Sequence, residues 1–171
     1  TWYNIIMSIF NKKKYDDGSC DWNTPKHIWD IVLPFVPKDK VIWMPFYNDG
    51  YCGDYLKQKG YNVIHENKDF WKTNQGEICV DNPPYRVKGI VKTKLKIMKR
   101  LMELDKPFML LIPTTTIQTQ YFKKLNDGRF QFLIPQTKYD FEKSEGVASI
   151  CPFYTMWVCW RMDFEKDYYI I

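Results

Sequence analysis

The segment Ile78-Cys79-Val80-Asp81-Asn82-Pro83-Pro84-Tyr85 decides how the chain is read. Its short apolar run, Ile78-Cys79-Val80, has the length and composition of a buried strand. Two consecutive prolines then end that strand, because neither has an N–H for the ladder. At such a stop the Asn82 amide oxygen and the Pro83 carbonyl can project together as acceptors, with the Tyr85 ring beside them. The trio suits a planar amino group: two acceptors meet its two N–H bonds while an aromatic face stacks on its plane. Taken alone, the tetrapeptide reads equally well as a plain Pro-Pro loop.

Outward from this segment, short apolar runs alternate with helical patterns. Upstream, Asn23-Thr24-Pro25 precedes Ile28, Ile31 and Val32 as a helix start, with a polar cap and Pro at the first position. Val41-Ile42-Trp43 reads as a buried strand running into the turn-rich Pro45 to Gly50. A short helix, about Gly53 to Lys59, stops at Gly60, and Val63-Ile64 is a second strand. Downstream, Val87, Ile90, Val91, Ile97, Met98, Leu101 and Met102 form one apolar helical stripe. Phe108 to Ile112 is again a buried strand, and a helix follows around Ile117 to Leu125. Two strands, Phe130 to Ile134 and Thr155 to Trp160, come last. This alternation predicts right-handed βαβ units in an α/β fold with a largely parallel sheet. The last two strands predict an antiparallel hairpin at one edge, and the ligand crevice belongs at the carboxyl ends of the strands.

Composition sets the outer limits. With 171 residues, the chain is the size of one ordinary domain. Residues 1–20 read as an N-terminal extension and 21–171 as a single domain. Hydrophobic residues at 45% and charged residues at 26% predict a folded chain. The longest apolar runs fall far short of the roughly 20 residues of a membrane span. Asn11-Lys12-Lys13-Lys14 stands where a secretory cleavage site would be, so a soluble intracellular domain is expected. Five cysteines are scattered singly and there are two histidines, a pattern that argues against a disulfide framework and predicts no metal. The net charge of +5 comes mostly from Lys, which permits nucleic-acid binding without demonstrating it.

Asn82-Pro83-Pro84-Tyr85 resembles the (Asp/Asn)-Pro-Pro-(Tyr/Phe) motif of S-adenosylmethionine-dependent amino-methyltransferases. It follows a strand at the place where that family carries it. The resemblance runs from about Asp21 to Trp160 and is closest to small adenine-type methyltransferases scattered among microbes and viruses. It implies a Rossmann-like fold: a mostly parallel seven-stranded sheet, an antiparallel terminal hairpin, and helices on both faces. Trp22-Asn23-Thr24-Pro25 is similar to the segment that closes over the cofactor, with Trp22 and Thr24 as its contacts. Trp43-Met44-Pro45-Phe46-Tyr47-Asn48-Asp49-Gly50 looks like the cofactor loop, through Pro45, Phe46 and Gly50.

Glu66, 16 residues past Gly50, is near the roughly 20-residue spacing at which an acid reaches ribose hydroxyls. Asp69-Phe70-Trp71 resembles the stretch near the cofactor's adenine, with Asp69 and Phe70 as its contacts, and Gly50 and Gly53 would let backbone approach the cofactor. By the same resemblance, Asn82, Pro83, Pro84 and Tyr85 are the catalytic residues, and Tyr85, Arg86 and Lys88 meet the substrate. Methyl transfer to the exocyclic amine of adenine in DNA or RNA is the implied activity. Guanine in RNA and protein glutamine are alternative substrates.

Two features depart from the family. Met44 stands where an acid usually opens the cofactor loop, and Asn48 where glycine is common. A charged hydrogen bond contributes roughly 1.5–3 kcal/mol, so losing the acid weakens cofactor binding. On this basis Met44→Asp or Met44→Glu is expected to strengthen it, and a non-catalytic subunit is the alternative reading. No separate target-recognition segment is evident, so a partner subunit or short loops would supply specificity. The candidate surface is Arg86 to Arg100, with seven basic residues and no acid.

Overall fold

The computed structural model describes residues 22–143, 148–149 and 154–171. The N-terminal extension, Cys20 and Cys151 lie outside the described residues. The elements are β1 (Trp22–Asn23), α1 (Lys26–Val32), β2 (Val41–Trp43), α2 (Tyr51–Gln58), β3 (Asn62–Ile64) and β4 (Ile78–Asp81). They continue with α3 (Thr93–Glu103), β5 (Phe108–Pro113), α4 (Gln120–Leu125), β6 (Phe130–Ile134), β7 (Phe141–Lys143), β8 (Ala148–Ser149), β9 (Thr155–Trp160) and β10 (Tyr168–Ile170).

Seven strands form one sheet in the order β10-β6-β9-β5-β4-β2-β3. β2 is parallel to β3 and β4, β4 to β5, and β10 to β6, while β9 runs antiparallel to both β5 and β6. The fold is therefore α/β with a mostly parallel sheet, as the alternation predicts. β1, β7 and β8 make a separate small antiparallel sheet.

The pleat explains why the central strands are apolar at nearly every position, Asp81 and Thr155 being the polar exceptions at strand ends. Successive side chains alternate faces, and helices cover both. Ile42, Val80, Met109, Leu111, Trp157 and Cys159 pack in one cluster with Ile28, Trp29 and Val32 of α1 and Leu56 of α2. Trp43, Cys79, Phe108, Leu110, Ile112 and Val158 pack in the other with Ile97, Met98 and Leu101 of α3 and Phe122 of α4. A strand buried on both faces has no polar side to show.

Several expectations need correction. The terminal pair is not an edge hairpin: β9 lies between β5 and β6, and β10 takes the edge beyond β6. The helix expected from Val87 begins only at Thr93. Gly89 and Lys92 both have positive φ, 83° and 59°, which interrupts helical backbone before that point. The Thr93 hydroxyl then ties the turn, accepting from the Val87 N–H at 3.2 Å and donating to the Ile90 carbonyl at 3.0 Å. Val91 is left 70% exposed rather than on a buried stripe. The helix expected at Ile117 is a 3₁₀ turn over Thr114–Gln118 followed by α4, which the Thr119 side chain caps through the Phe122 N–H. Pro25 is the cap residue of α1 rather than its first helical residue.

Candidate functional site

From β2 the chain moves to β3 on one side, then crosses back to lay β4 and β5 on the other. The strand order thus reverses between β2 and β4, and ligands of open α/β sheets bind outside the carboxyl ends at such a switch point. Pro45 to Gly50 leaves β2 there and Asn82 to Tyr85 leaves β4. The two segments singled out in the sequence therefore emerge from adjacent strands.

One carboxylate joins them. Asp81, the last residue of β4, is 3% exposed. Its Oδ2 accepts from the Phe46 N–H and its Oδ1 from the Asn82 N–H, both at 2.8 Å. Burial pushes the Asp81 carboxyl well above the usual range, against the opposing pull of the two N–H bonds. Sequence reading did not single out Asp81. The available signal was an acid inside a strand that is otherwise apolar, a position where acids rarely stand without a purpose.

β1 spans the same two segments. The Asn82 amide donates from Nδ2 to the Trp22 carbonyl in a long bond of 3.4 Å. This bond uses one of the two amide N–H groups, and Oδ1 is the acceptor of the amide. Asn23 donates to Asp49 Oδ2 at 2.8 Å and accepts from Asn48 Nδ2 at 2.9 Å, while Asp49 Oδ1 accepts from the Tyr51 N–H at 3.0 Å. Asn48 has φ 47° and Gly50 φ 89°. Asn is among the few side chains that tolerate this region, so Asn48 accommodates the turn without a glycine. Asn23, Asn48 and Asp49 form a latch that sequence reading missed, because the partners lie about 25 residues apart in the chain.

The remaining candidates are placed as follows. Pro45, Phe46 and Pro83 are buried and Trp22 and Pro84 half-buried, all on the segments just described. Thr24 is fully buried, and its hydroxyl has no hydrogen-bond partner among the described residues. Tyr85 is also buried; Lys94 Nζ donates to its carbonyl at 3.1 Å and lies 5.9 Å from its ring centroid. Arg86 and Lys88 are exposed. Glu66, two residues beyond β3, is exposed and takes bonds from Lys68 at 2.8 Å and Gln75 at 2.7 Å, which hold its carboxyl below the usual range. Asp69 Oδ1 accepts from the Trp71 N–H at 2.9 Å. Phe70 is a core residue with no exposed ring face, 5.6 Å from Trp43 and 5.2 Å from Phe46 between centroids.

Two expectations change in this setting. Met44 is fully buried in the apolar cluster of α1 and α2. An acid introduced there would sit among hydrocarbon rather than face a ligand, so the expected gain from Met44→Asp or Met44→Glu loses its geometric basis. Gly53 gives room to a side chain rather than to a cofactor. A Cβ at Gly53 would lie 2.0 Å from His65 Nδ1, so the buried imidazole occupies that space.

Gly53→Ala is therefore expected to destabilise the fold by about 1–3 kcal/mol or more, as overpacking does. Removing the ring in the double variant Gly53→Ala/His65→Ala should cost less than the sum of the two single changes. Thermal unfolding of the four proteins measures this. Burial holds His65 below its ordinary value of 6.5, so its contribution is full above 6.5 and is lost as pH falls from there through the lowered value of the folded state.

Among the described residues no helix is long and apolar enough to cross a membrane, and no three His, Cys, Asp or Glu side chains group as a metal site. Cys52, Cys79 and Cys159 are free thiols. No protein-family model, curated protein or solved structure matches the chain.

Proposed function

We propose that this chain is a Rossmann-like, S-adenosylmethionine-dependent amino-methyltransferase acting on the exocyclic amine of adenine in nucleic acid. The observation that carries this reading is the Asp81 clamp. It holds Phe46, in the loop after β2, and Asn82, after β4, on the two oxygens of one carboxylate at the switch point.

The donor set suits the cofactor in part. Thr24 offers a buried hydroxyl without a partner among the described residues, and Glu66 an exposed carboxylate beyond the neighbouring strand. When bound, the cofactor supplies an electrophilic methyl group carried on sulfur. The chain's own residues then act on the target amine. Asn82 Oδ1 and the Pro83 carbonyl would accept its two hydrogens, which frees the nitrogen lone pair for attack. Tyr85 provides the aromatic surface for the base. Most of the acceleration comes from holding both reactants in near-attack geometry. A base within a duplex must first be extruded at a cost of a few kcal/mol, which a single strand largely avoids.

Calorimetry with S-adenosylmethionine and with its demethylated product tests the first step. Saturable binding of both is expected, followed by tritium transfer into DNA or RNA in preference to protein. The buried Met44, in place of an acid, favours one competing reading: a methyltransferase-shaped subunit without catalysis. Absence of binding at millimolar cofactor would establish that reading instead.

A further inference from the structure

α3 and α4 both start on the side of the sheet formed by the carboxyl ends of its parallel strands, where Asn82 lies, since they follow β4 and β5. The two helices share one apolar cluster, through Ile97, Met98, Leu101 and Phe122. Their outer surface is cationic. Arg86 to Arg100 and Thr114 to Leu125 together hold nine Lys and Arg and no acid; Glu103, at the far end of α3, pairs with Lys99 at 3.6 Å. Of these, Arg86, Lys88, Lys92, Lys96, Lys99, Lys123 and Lys124 are exposed.

An aromatic ring is set into this surface. Tyr121, on α4, is 49% exposed, and the Lys92 ammonium lies 3.0 Å from its ring centroid. Lys124, three residues beyond Tyr121 on α4, shares its helix face, and Lys92 and then Lys124 pull the Tyr121 phenol below its ordinary value. Val91, next to Lys92, is 70% exposed. Lys94, in the first turn of α3, continues the line inward to the Tyr85 carbonyl. Cations spaced around an exposed ring, with no acid between them, match what an unpaired strand presents: phosphates at regular intervals and bases with free π-faces. Duplex DNA presents phosphates but hides its base faces, so it would leave Tyr121 and Val91 unused.

We infer that the outer surface of α3 and α4, centred on Lys92, Tyr121 and Lys124, binds single-stranded nucleic acid, with the bases stacking on Tyr121 and the lysines on phosphates. This surface acts by itself and does not require cofactor binding, so it stands or falls separately from the proposed activity.

Fluorescence anisotropy with a labelled mixed-sequence oligonucleotide tests it, using DNA and RNA single strands and the matching duplex. Single strands should bind more tightly than the duplex. Tyr121→Ala should weaken single-strand binding roughly five- to hundred-fold, the range for loss of one stacked base. Tyr121→Phe, which keeps the ring, should stay close to wild type. Lys92→Gln and Lys124→Gln should each reduce the slope of log affinity against log salt by about 0.7, the value for one lost single-strand phosphate contact. Lys38→Gln and Lys166→Gln, just before the amino ends of β2 and β10 and so on the opposite side of the sheet, should leave that slope unchanged. Circular dichroism and thermal unfolding establish that each variant is folded. Preference for duplex, an unaltered slope in the Lys92 and Lys124 variants, or equal effects from the remote lysines would each overturn the inference.

Discussion

Asn82→Ala is expected to reduce methyl transfer by at least about a hundredfold while leaving cofactor affinity nearly unchanged. Removing a single preorganised hydrogen-bonding group at a reacting centre typically costs 10²–10³ in rate, roughly 2.7–4 kcal/mol of barrier. Here the lost group is Oδ1, the acceptor of the amide whose Nδ2 donates to the Trp22 carbonyl. The Pro83 carbonyl survives the change, so residual transfer should remain measurable. Single-turnover transfer at saturating cofactor reads the chemical step directly, and calorimetry reads the affinity. A variant as active as wild type would remove Asn82 from the mechanism. A parallel fall in cofactor affinity would make Asn82 a binding residue instead.

The second large effect concerns Asp81 and does not depend on any activity. Asp81→Ala removes the acceptor of two backbone N–H groups, those of Phe46 and Asn82. A buried donor left without a partner costs about 1–3 kcal/mol; the Phe46 N–H is buried and the Asn82 N–H half-buried, so a combined loss of roughly 2–4 kcal/mol is expected. Against a typical total of about 5–15 kcal/mol, this is a large fraction of the stability of a single domain. Denaturant unfolding measures it.

The pH dependence has a definite sign. Burial raises the Asp81 carboxyl in the folded protein, so the folded state binds its proton more tightly than the unfolded chain does. Wild-type stability contributed by this group is full below its ordinary value of 3.8 and declines as pH rises from there toward the raised one. The gap between wild type and Asp81→Ala should therefore narrow with increasing pH. A gap that is constant or widens would mean that the carboxylate is better compensated than its two N–H partners suggest.

Much of the architecture was legible in local patterns. The apolar runs at 41–43, 63–64, 78–80, 108–112, 130–134 and 155–160 all fall within strands, because a strand buried on both faces must be apolar at nearly every position. The Pro83-Pro84 stop marked the end of β4 for a reason internal to proline. β10 was not legible: Tyr168 and Ile170 are exposed at a sheet edge, where burial imposes no pattern. The position of β9 between β5 and β6 was not legible either, since strand order is set by which surfaces pack and not by order along the chain. Nor was the delayed start of α3. There the apolar spacing continued through Val87, Ile90 and Val91, but positive φ at Gly89 and Lys92 broke the helix.

For the site, sequence alone determined which residues leave β4 and what hydrogen-bonding chemistry they carry. Asn82, Pro83 and Tyr85 have those properties in any fold. Only the tertiary structure decided what they stand beside. It brought Phe46 within a hydrogen bond of Asp81, set the β1 carbonyl against Asn82, turned Met44 into the core, and laid Lys92 over Tyr121. The physical reason is range. Proline stops, helix caps and burial patterns act over a few residues, whereas these four arrangements depend on the packing of segments distant in sequence.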